Sequence, residues 1–245
     1  YNHYMKIIQS NLLNTFTNLT HGFTTKKTGN IAFHVFDDIS KVEKNHESLA
    51  KILNYDKNSL IHMKQIHSSL VHIVNDKDNF TNPHSCDALI SNKINTPLMV
   101  MVADCSPILF YDAQRKVIAV AHAGRQGAFK NIIQNTIEAM NKKFHSNIKD
   151  IYVSVGASIG VCCYEVGNEI YDEAKEIGLE YALQKKENNY YLDISKILKK
   201  QFLSAGIEKQ NIEISKECTC CLSNKYYSYR AQAQTGRFAG VIMLK

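Results

Sequence analysis

Between Leu98 and Gly124 three short apolar runs are separated by two polar corners, and no other stretch so restricts what the chain can become. The runs are Leu98 to Ala103, Ile108 to Tyr111 and Val117 to Ala121. The first corner is Asp104-Cys105-Ser106. Short runs rich in Val, Ile and aromatics, bounded by turn residues, predict buried strands. With Asp112-Ala113-Gln114-Arg115 as the loop, Tyr111 faces Lys116 across an antiparallel hairpin. The same register carried outward sets Cys105 opposite His122. Directly opposed residues have Cβ atoms about 4.5–5.5 Å apart, so thiol and imidazole would share one metal or one proton. Pro107 lacks an N–H and fits a strand start just after the corner. The same residues also fit an inert buried thiol beside a hydrogen-bonded imidazole.

The rest of the chain constrains the class. No Pro-, Ser- or Gly-rich linker divides the 245 residues, so one domain over 5–245 is expected. Residues 1–4 precede Met5 and read as a remnant ahead of that domain. Hydrophobic residues make up 44%, enough for a sizeable core. No apolar run nears the ~20 residues a membrane helix needs, and no signal-peptide pattern shows. A cytoplasmic protein without membrane association is therefore expected, with its seven cysteines reduced. Cys218-Thr-Cys-Cys, read through its adjacent cysteines, lacks the usual two-residue gap. It also has no partner pair at zinc-finger distance, so it is a weak metal signal. The net charge of +6 is spread over isolated lysine doublets. That is a solvated surface rather than a nucleic-acid stripe, although it favours an anionic small substrate.

Along the chain, Leu19 to Asn30 reads as a strand entering a polar turn. Ser40 with Glu43 reads as a capping box, followed by the stripe Val42, Leu49, Leu53. Ile61 to Val74 reads as strand, turn, strand. It carries His62, His67 and His72, whose five-residue spacing is no helical metal motif. Cys86 to Ser91 predicts a strand, and Phe129 to Met140 repeats at helical spacing. Ile148 to Val155 predicts another strand, ending at the Gly156–Gly160 turn. Helices follow from Glu169 to Ile177 and from an Asp193 cap through Ala205, stopped by Gly206. Phe238 to Leu244 predicts a final buried strand. Strands and helices mix without regular βαβ alternation, which predicts an α+β fold: mixed or antiparallel sheets flanked by helices.

Several pieces together resemble the YfiH-like family, also called the laccase-domain or multicopper polyphenol oxidase family. They are Lys64-Gln-Ile-His67, Val102-Ala-Asp-Cys105 with Pro107, Ala121-His-Ala-Gly124, Ser228-Tyr-Arg230 and Thr235-Gly-Arg237. His21-Gly-Phe-Thr-Thr25, Cys86-Asp-Ala-Leu-Ile-Ser91, Tyr164-Glu-Val-Gly167 and Cys218-Thr219 add support, in the family's order over nearly the whole chain. The resemblance implies a metal, zinc, held by His67, Cys105 and His122, with copper as the alternative. Three ligands would leave a fourth position open, as in catalytic zinc sites. Zinc would hold Cys105 as thiolate and lower the pKa of a bound water to ~7. His62, His72 and His84 read as ordinary histidines.

The resemblance further implies phosphorolysis of purine nucleosides (adenosine, inosine, guanosine or methylthioadenosine) and deamination of adenosine. Deamination would need a carboxylate to shuttle protons, and Asp104 and Glu165 are the candidates. Phosphorolysis needs donors that hold phosphate. Arg230 is nominated first, as a catalytic and phosphate-binding group, then Lys26, Lys27 and Arg125. Nucleoside and phosphate are the expected partners, for a monomer or a homodimer. Where the family usually continues His-Ala-Gly with Trp-Arg-Gly, this chain has Arg125-Gln126-Gly127. Ala231 replaces a second arginine after Arg230, and Lys26 or Lys27 an arginine near the N-terminus. Two other enzyme readings remain. Cys105 and His122 would suit a cysteine hydrolase acting on peptidoglycan precursors. The family's older name implies a copper-dependent polyphenol oxidase, yet none of the ten histidines forms the His-X-His pairs common in coupled copper centres. A non-enzymatic nucleotide- or partner-binding module with structural zinc is the third reading.

Overall fold

In the computed structural model, which describes residues 7–245, the first two apolar runs lie in different sheets. The expected remnant 1–4 and domain start at Met5 lie outside the described residues. Ten strands build the two main sheets: β1 (Ile7–Ile8), β2 (Leu19–Thr24), β3 (Val71–Ile73), β4 (Ala88–Ser91), β5 (Leu98–Val102), β6 (Ser106–Asp112), β7 (Val117–Ala123), β8 (Ile151–Val155), β9 (Ile212–Ile214) and β10 (Phe238–Leu244). One sheet runs β1-β2-β10-β5 and is antiparallel throughout. The other runs β9-β8-β6-β7-β4-β3 and is mixed, because β3 lies parallel to β4 and β9 parallel to β8. The Asp104 corner is where the chain leaves one sheet for the other.

Pleat parity sorts the side chains of these runs into three cores. Leu109 and Tyr111 of β6, with Ile118 and Val120 of β7, meet Val100, Val102, Phe238 and Ile242 from the facing sheet. Their neighbours Ile108, Phe110, Ala119 and Ala121 point the other way. The α-helices of the described residues are α1 (Ile39–Leu53), α2 (Arg125–Phe129), α3 (Ile132–Phe144), α4 (Asn168–Glu176) and α5 (Ile194–Ala205). These strand residues cover α3 and α5 through Ile133, Met140, Leu198 and Phe202. Helix α1 (Ile39–Leu53) packs Leu49 and Leu53 on Met99, Met101 and Val241, on the outer face of the smaller sheet. Both faces of the central strands are thus buried, which is why they read as continuous apolar runs rather than alternating ones. The architecture is the expected α+β arrangement, with sheets packed between helices.

The hairpin register differs from the expected one by two residues. Tyr111 pairs with Ile118 and Asp112 with Val117. Asp112 ends the strand rather than opening the loop, since its Oδ1 accepts from the amides of Gln114 and Arg115, both at 2.9 Å. Lys116 closes the loop in the left-handed conformation, φ 54°. A slip of two keeps every side chain on its face, so Cys105 and His122 still share one. His122 now faces Pro107. The α1 cap is also displaced: Asp38, not Ser40, accepts the first-turn amide, from Ser40 at 2.8 Å. Glu43 accepts instead from Lys57 Nζ at 2.7 Å. Asp193 and Gly206 bound α5 as expected. No helix among the described residues is long and apolar enough to cross a membrane.

His46 on α1 gives the fold an acid limit. It is 1% exposed and stacks on Phe33, with ring centroids 5.2 Å apart. Its Nε2–H donates to the Ile31 carbonyl at 2.8 Å. Its Nδ1 has no hydrogen-bond partner among the described residues. Burial pushes its pKa down from 6.5 to about 4. Below pH 6.5 the unfolded chain therefore takes up a proton that the folded chain refuses. Stability falls as pH drops from 6.5 toward 4, by on the order of 3 kcal/mol from this group. Urea unfolding at pH 7.5 and pH 5 should show the loss, and His46→Gln should flatten it. An unchanged pH slope in that variant would assign the effect to other groups.

Candidate metal centre and cavity

At the sheet-to-sheet corner Asp104 adopts φ 84° and ties three segments together. Its Oδ1 accepts from Thr219 Oγ1 at 2.7 Å and its Oδ2 from the Arg230 amide at 2.6 Å. Its carbonyl accepts from the Ile159 amide at 2.8 Å. The corner holds Cys105 beside His122 near the end of β7. His67 arrives on the loop after a short strand, Met63–Lys64, with φ 56°. Gln65 fixes that loop by exchanging hydrogen bonds with the Met101 backbone at 2.9 and 2.7 Å.

Ligand atoms of His67, Cys105 and His122 all lie within 4.8 Å of one another. Behind them sits Asp87, fully buried just ahead of β4. Its Oδ1 accepts from the His67 amide at 3.1 Å and from His122 Nδ1–H at 2.8 Å. Its Oδ2 accepts from the amide and hydroxyl of Ser68, both at 2.6 Å, and from the Ile66 amide at 3.3 Å. Burial alone would raise the Asp87 carboxyl, but donors from His122 and Ser68 outweigh it and hold the pKa at about 2. With Nδ1–H committed to Asp87, His122 presents an unprotonated Nε2 when neutral, the tautomer a metal requires. Burial opposes charge on both Cys105 and His122. Their mutual attraction, with His67 beside the thiol and Asp87 beside the imidazole, lowers the pKa of Cys105 and raises that of His122. One soft thiolate and two imidazoles in this arrangement fit zinc or copper.

Gly124 leaves room for this group. A Cβ there would lie 2.7 Å from Cys105 Sγ and 3.4 Å from His67 Cδ2. Gly124→Ala is expected to displace the thiol, weakening zinc binding by on the order of 10-fold or more. Overpacking should cost ~1–3 kcal/mol. Competition against a chromophoric chelator and thermal melting of metal-free protein check the two effects separately.

The group opens onto a cavity of about 710 Å³, also lined by Phe33, Tyr164, Tyr229, Arg230 and Arg237. This volume suits a small organic ligand. The Arg230 guanidinium lies 5.4 Å from the Tyr164 ring centroid and donates to the carbonyls of Cys163 and Glu165, both at 3.0 Å. Arg237 donates to the Thr235 and Gly236 carbonyls at 2.9 and 3.0 Å. Neither arginine has a carboxylate within salt-bridge distance among the described residues. Burial pulls Arg237 below its ordinary pKa.

The other nominated residues divide. Asp104 and Arg125 line the cavity, and Arg125 is ion-paired to Glu173 and lies over the Phe129 ring. Glu165 lies outside it: the side chain is exposed, accepts from the Tyr191 hydroxyl at 3.2 Å and borders a separate depression. Strand pairing of Glu165 with Tyr191 turns it away. Lys26 and Lys27 also lie outside the lining. Lys26 Nζ donates to the Ser223 carbonyl at 2.6 Å, and Lys27 is exposed. His62, read as an ordinary histidine, lines the cavity, while His72 and His84 stack together around Asp78 elsewhere. Sequence reasoning missed Asp87, Tyr164 and Arg237, although each lay inside a quoted motif. An acid at the head of an apolar strand was the available signal for Asp87.

A sheet-to-sheet corner carrying a mixed His/Cys group at the floor of an arginine-rimmed cavity defines an α+β protein with a candidate metal centre. The model of the multi-copper polyphenol oxidoreductase laccase family matches residues 14–245, and the chain belongs to that family. It is 31% identical over 244 residues to purine nucleoside phosphorylase YlmD of Bacillus subtilis, covering 91% of this chain and 88% of that one. Its fold is similar to the crystal structure of the Bacillus licheniformis hypothetical protein YfiH, with TM-score 0.92, 29% identity and full coverage of both chains. YlmD from Geobacillus stearothermophilus superposes with TM-score 0.90 at 25% identity, covering 100% of this chain and 98% of that one.

Proposed function

We propose that this chain is a zinc-dependent purine nucleoside phosphorylase, with His67, Cys105 and His122 as the metal ligands. The observation that carries this reading is the pair Arg230 and Arg237, two guanidiniums without carboxylate partners among the described residues, lining the same cavity as the His/Cys group. Guanidinium cations with unused donors seek an oxyanion, and inorganic phosphate is the one the relatives' name calls for. In this reading Arg230 and Arg237 hold phosphate against C1′ of the ribose and spread its charge. A phosphate oxygen bonds to C1′ as the bond from C1′ to the purine nitrogen breaks. Phe33, Tyr164 and Tyr229 offer apolar faces to the base and exclude water. A bound zinc would supply Lewis-acid polarisation of an oxygen. Asp104 acts as a positioning residue, because both its oxygens already hold Thr219 and the Arg230 backbone.

Adenosine deamination stands second. Among the described residues Asp104 is the sole carboxylate lining the cavity, and both its oxygens already accept hydrogen bonds. The polyphenol oxidase reading needs several converging imidazoles, and the His/Cys group contains two.

The test is chromatography of adenosine, inosine, guanosine and methylthioadenosine with zinc-loaded protein, with and without phosphate. Free base that requires phosphate is the expected result, and Arg237→Ala should then raise the KM for phosphate. Inosine formed from adenosine without phosphate would make deamination the main reaction. Survival of every nucleoside would overturn the reading and leave a Cys105/His122 hydrolase in first place.

A further inference from the structure

A second cluster of metal-binding side chains lies outside the cavity floor. Ligand atoms of Cys162, Cys163, Cys218 and Cys221 all lie within 4.8 Å of one another. Cys218 and Cys221 are separated by two residues, so the gap judged missing in sequence is present once Cys220 is passed over. The fold supplies the partner pair: a bridge between Ser158 and Cys218 brings residues 158–163 against 218–221. The Thr219 amide reinforces it, donating to the Ser158 carbonyl at 3.0 Å. Sequence distance concealed the pair because 54 residues or more of unrelated structure intervene, α5 among them.

The sulfur spacing discriminates between fates for these thiols. A disulfide needs about 2.05 Å between sulfurs. A tetrahedral zinc with bonds of ~2.3 Å sets its four sulfurs about 3.8 Å apart. Cys221 Sγ lies 3.5 Å from Cys162 Sγ and 3.4 Å from Cys163 Sγ, near the tetrahedral edge. The backbone is already arranged for a thiolate, since the Gly160 amide donates to Cys218 Sγ at 3.2 Å. A Cβ at Gly160 would lie 3.1 Å from Cys162 Sγ and 3.2 Å from Cys218 Cβ, so a larger residue would crowd the group. Amide donors to sulfur are the outer support of thiolate metal sites.

We propose that Cys162, Cys163, Cys218 and Cys221 form a second, structural zinc site with four thiolate ligands. Its closed ligand set leaves no open position for substrate. The site joins the two segments that hold Arg230 in place. Cys163 and Glu165 carbonyls accept from its guanidinium, and Thr219 braces the Asp104 carboxylate that accepts its amide. The second zinc would thus clamp one wall of the cavity. It is independent of which reaction the cavity performs.

Metal analysis of protein purified under reducing conditions with zinc supplied is the test. Two zinc ions per chain are expected in the wild type. One should remain in Cys162→Ser/Cys221→Ser, whose side chains are exposed, and one in Cys105→Ala. Cobalt loaded into Cys105→Ala should give intense thiolate charge-transfer absorption, since its remaining site holds only sulfur. One zinc in the wild type, unchanged by Cys162→Ser/Cys221→Ser and lost with Cys105→Ala, would overturn the proposal. So would copper rather than zinc in the thiol cluster, or a disulfide among the four cysteines on alkylation and mass analysis. Loss of the cavity-floor zinc alone would count against the ligand set of the proposed function and leave the second site standing.

Discussion

Replacing Cys105 by serine is expected to empty the cavity floor of metal while leaving the fold intact. The hydroxyl is nearly isosteric, but it does not ionise near neutral pH and is a poor zinc ligand beside two imidazoles. Two histidines alone bind weakly, so the cavity-floor zinc should be lost on dialysis while the ion of the four-cysteine cluster stays. The wild type gains stability from any metal that binds only the folded state, about 4 kcal/mol at a thousand times Kd. Added zinc should therefore raise its melting temperature, and the increment should shrink sharply in Cys105→Ser. Turnover should fall on the order of 10³-fold, because a metal contributes several kcal/mol of charge stabilisation. Retention of the full wild-type zinc content in Cys105→Ser with activity abolished would favour Cys105 as a nucleophile instead. Full activity without metal would remove zinc from the mechanism.

Asp87→Asn is expected to be more damaging to the fold than its similarity in shape implies. Every contact of the Asp87 carboxylate comes from a donor: three backbone amides, the Ser68 hydroxyl and His122 Nδ1–H. An asparagine in either orientation turns its own NH2 toward some of them. With the NH2 at the Oδ1 position, His122 must either clash or switch tautomer, which points its Nε2–H at the metal position. Uncompensated burial of this kind costs roughly 3–5 kcal/mol, and loss of such outer support costs about 10–100-fold in metal affinity. Urea unfolding of metal-free protein and zinc competition measure the two effects. Zinc affinity equal to wild type in a folded Asp87→Asn would show that Asp87 supports only the loop.

Much of the site was legible because its residues lie where local chemistry is loud. Cys105 stands in a polar corner between apolar runs, His122 stands near the end of a strand, and pleat parity placed them on one face despite a register wrong by two. Parity survives such a slip because side chains alternate with a period of two. The same apolar runs predicted the central strands, and Asp193 with Gly206 bounded their helix. Glu165 lies outside the cavity because its neighbour Tyr164 takes the cavity face, an alternation fixed by a strand pairing invisible in the sequence.

What the sequence determined by itself was local: which segments become strands or helices, where turns fall, and which thiol and imidazole share a face. Tertiary structure alone decided that the first two runs belong to different sheets, that His67 joins Cys105 and His122 from another loop, and that Asp87 stands behind them. It also decided that Arg230 and Arg237 meet in one cavity and that two distant cysteine pairs close into one cluster. The reason is physical. Backbone propensity and hydrophobic period act over a few residues, whereas a site needs atoms within hydrogen-bond or coordination distance, and only packing two sheets face to face sets that distance.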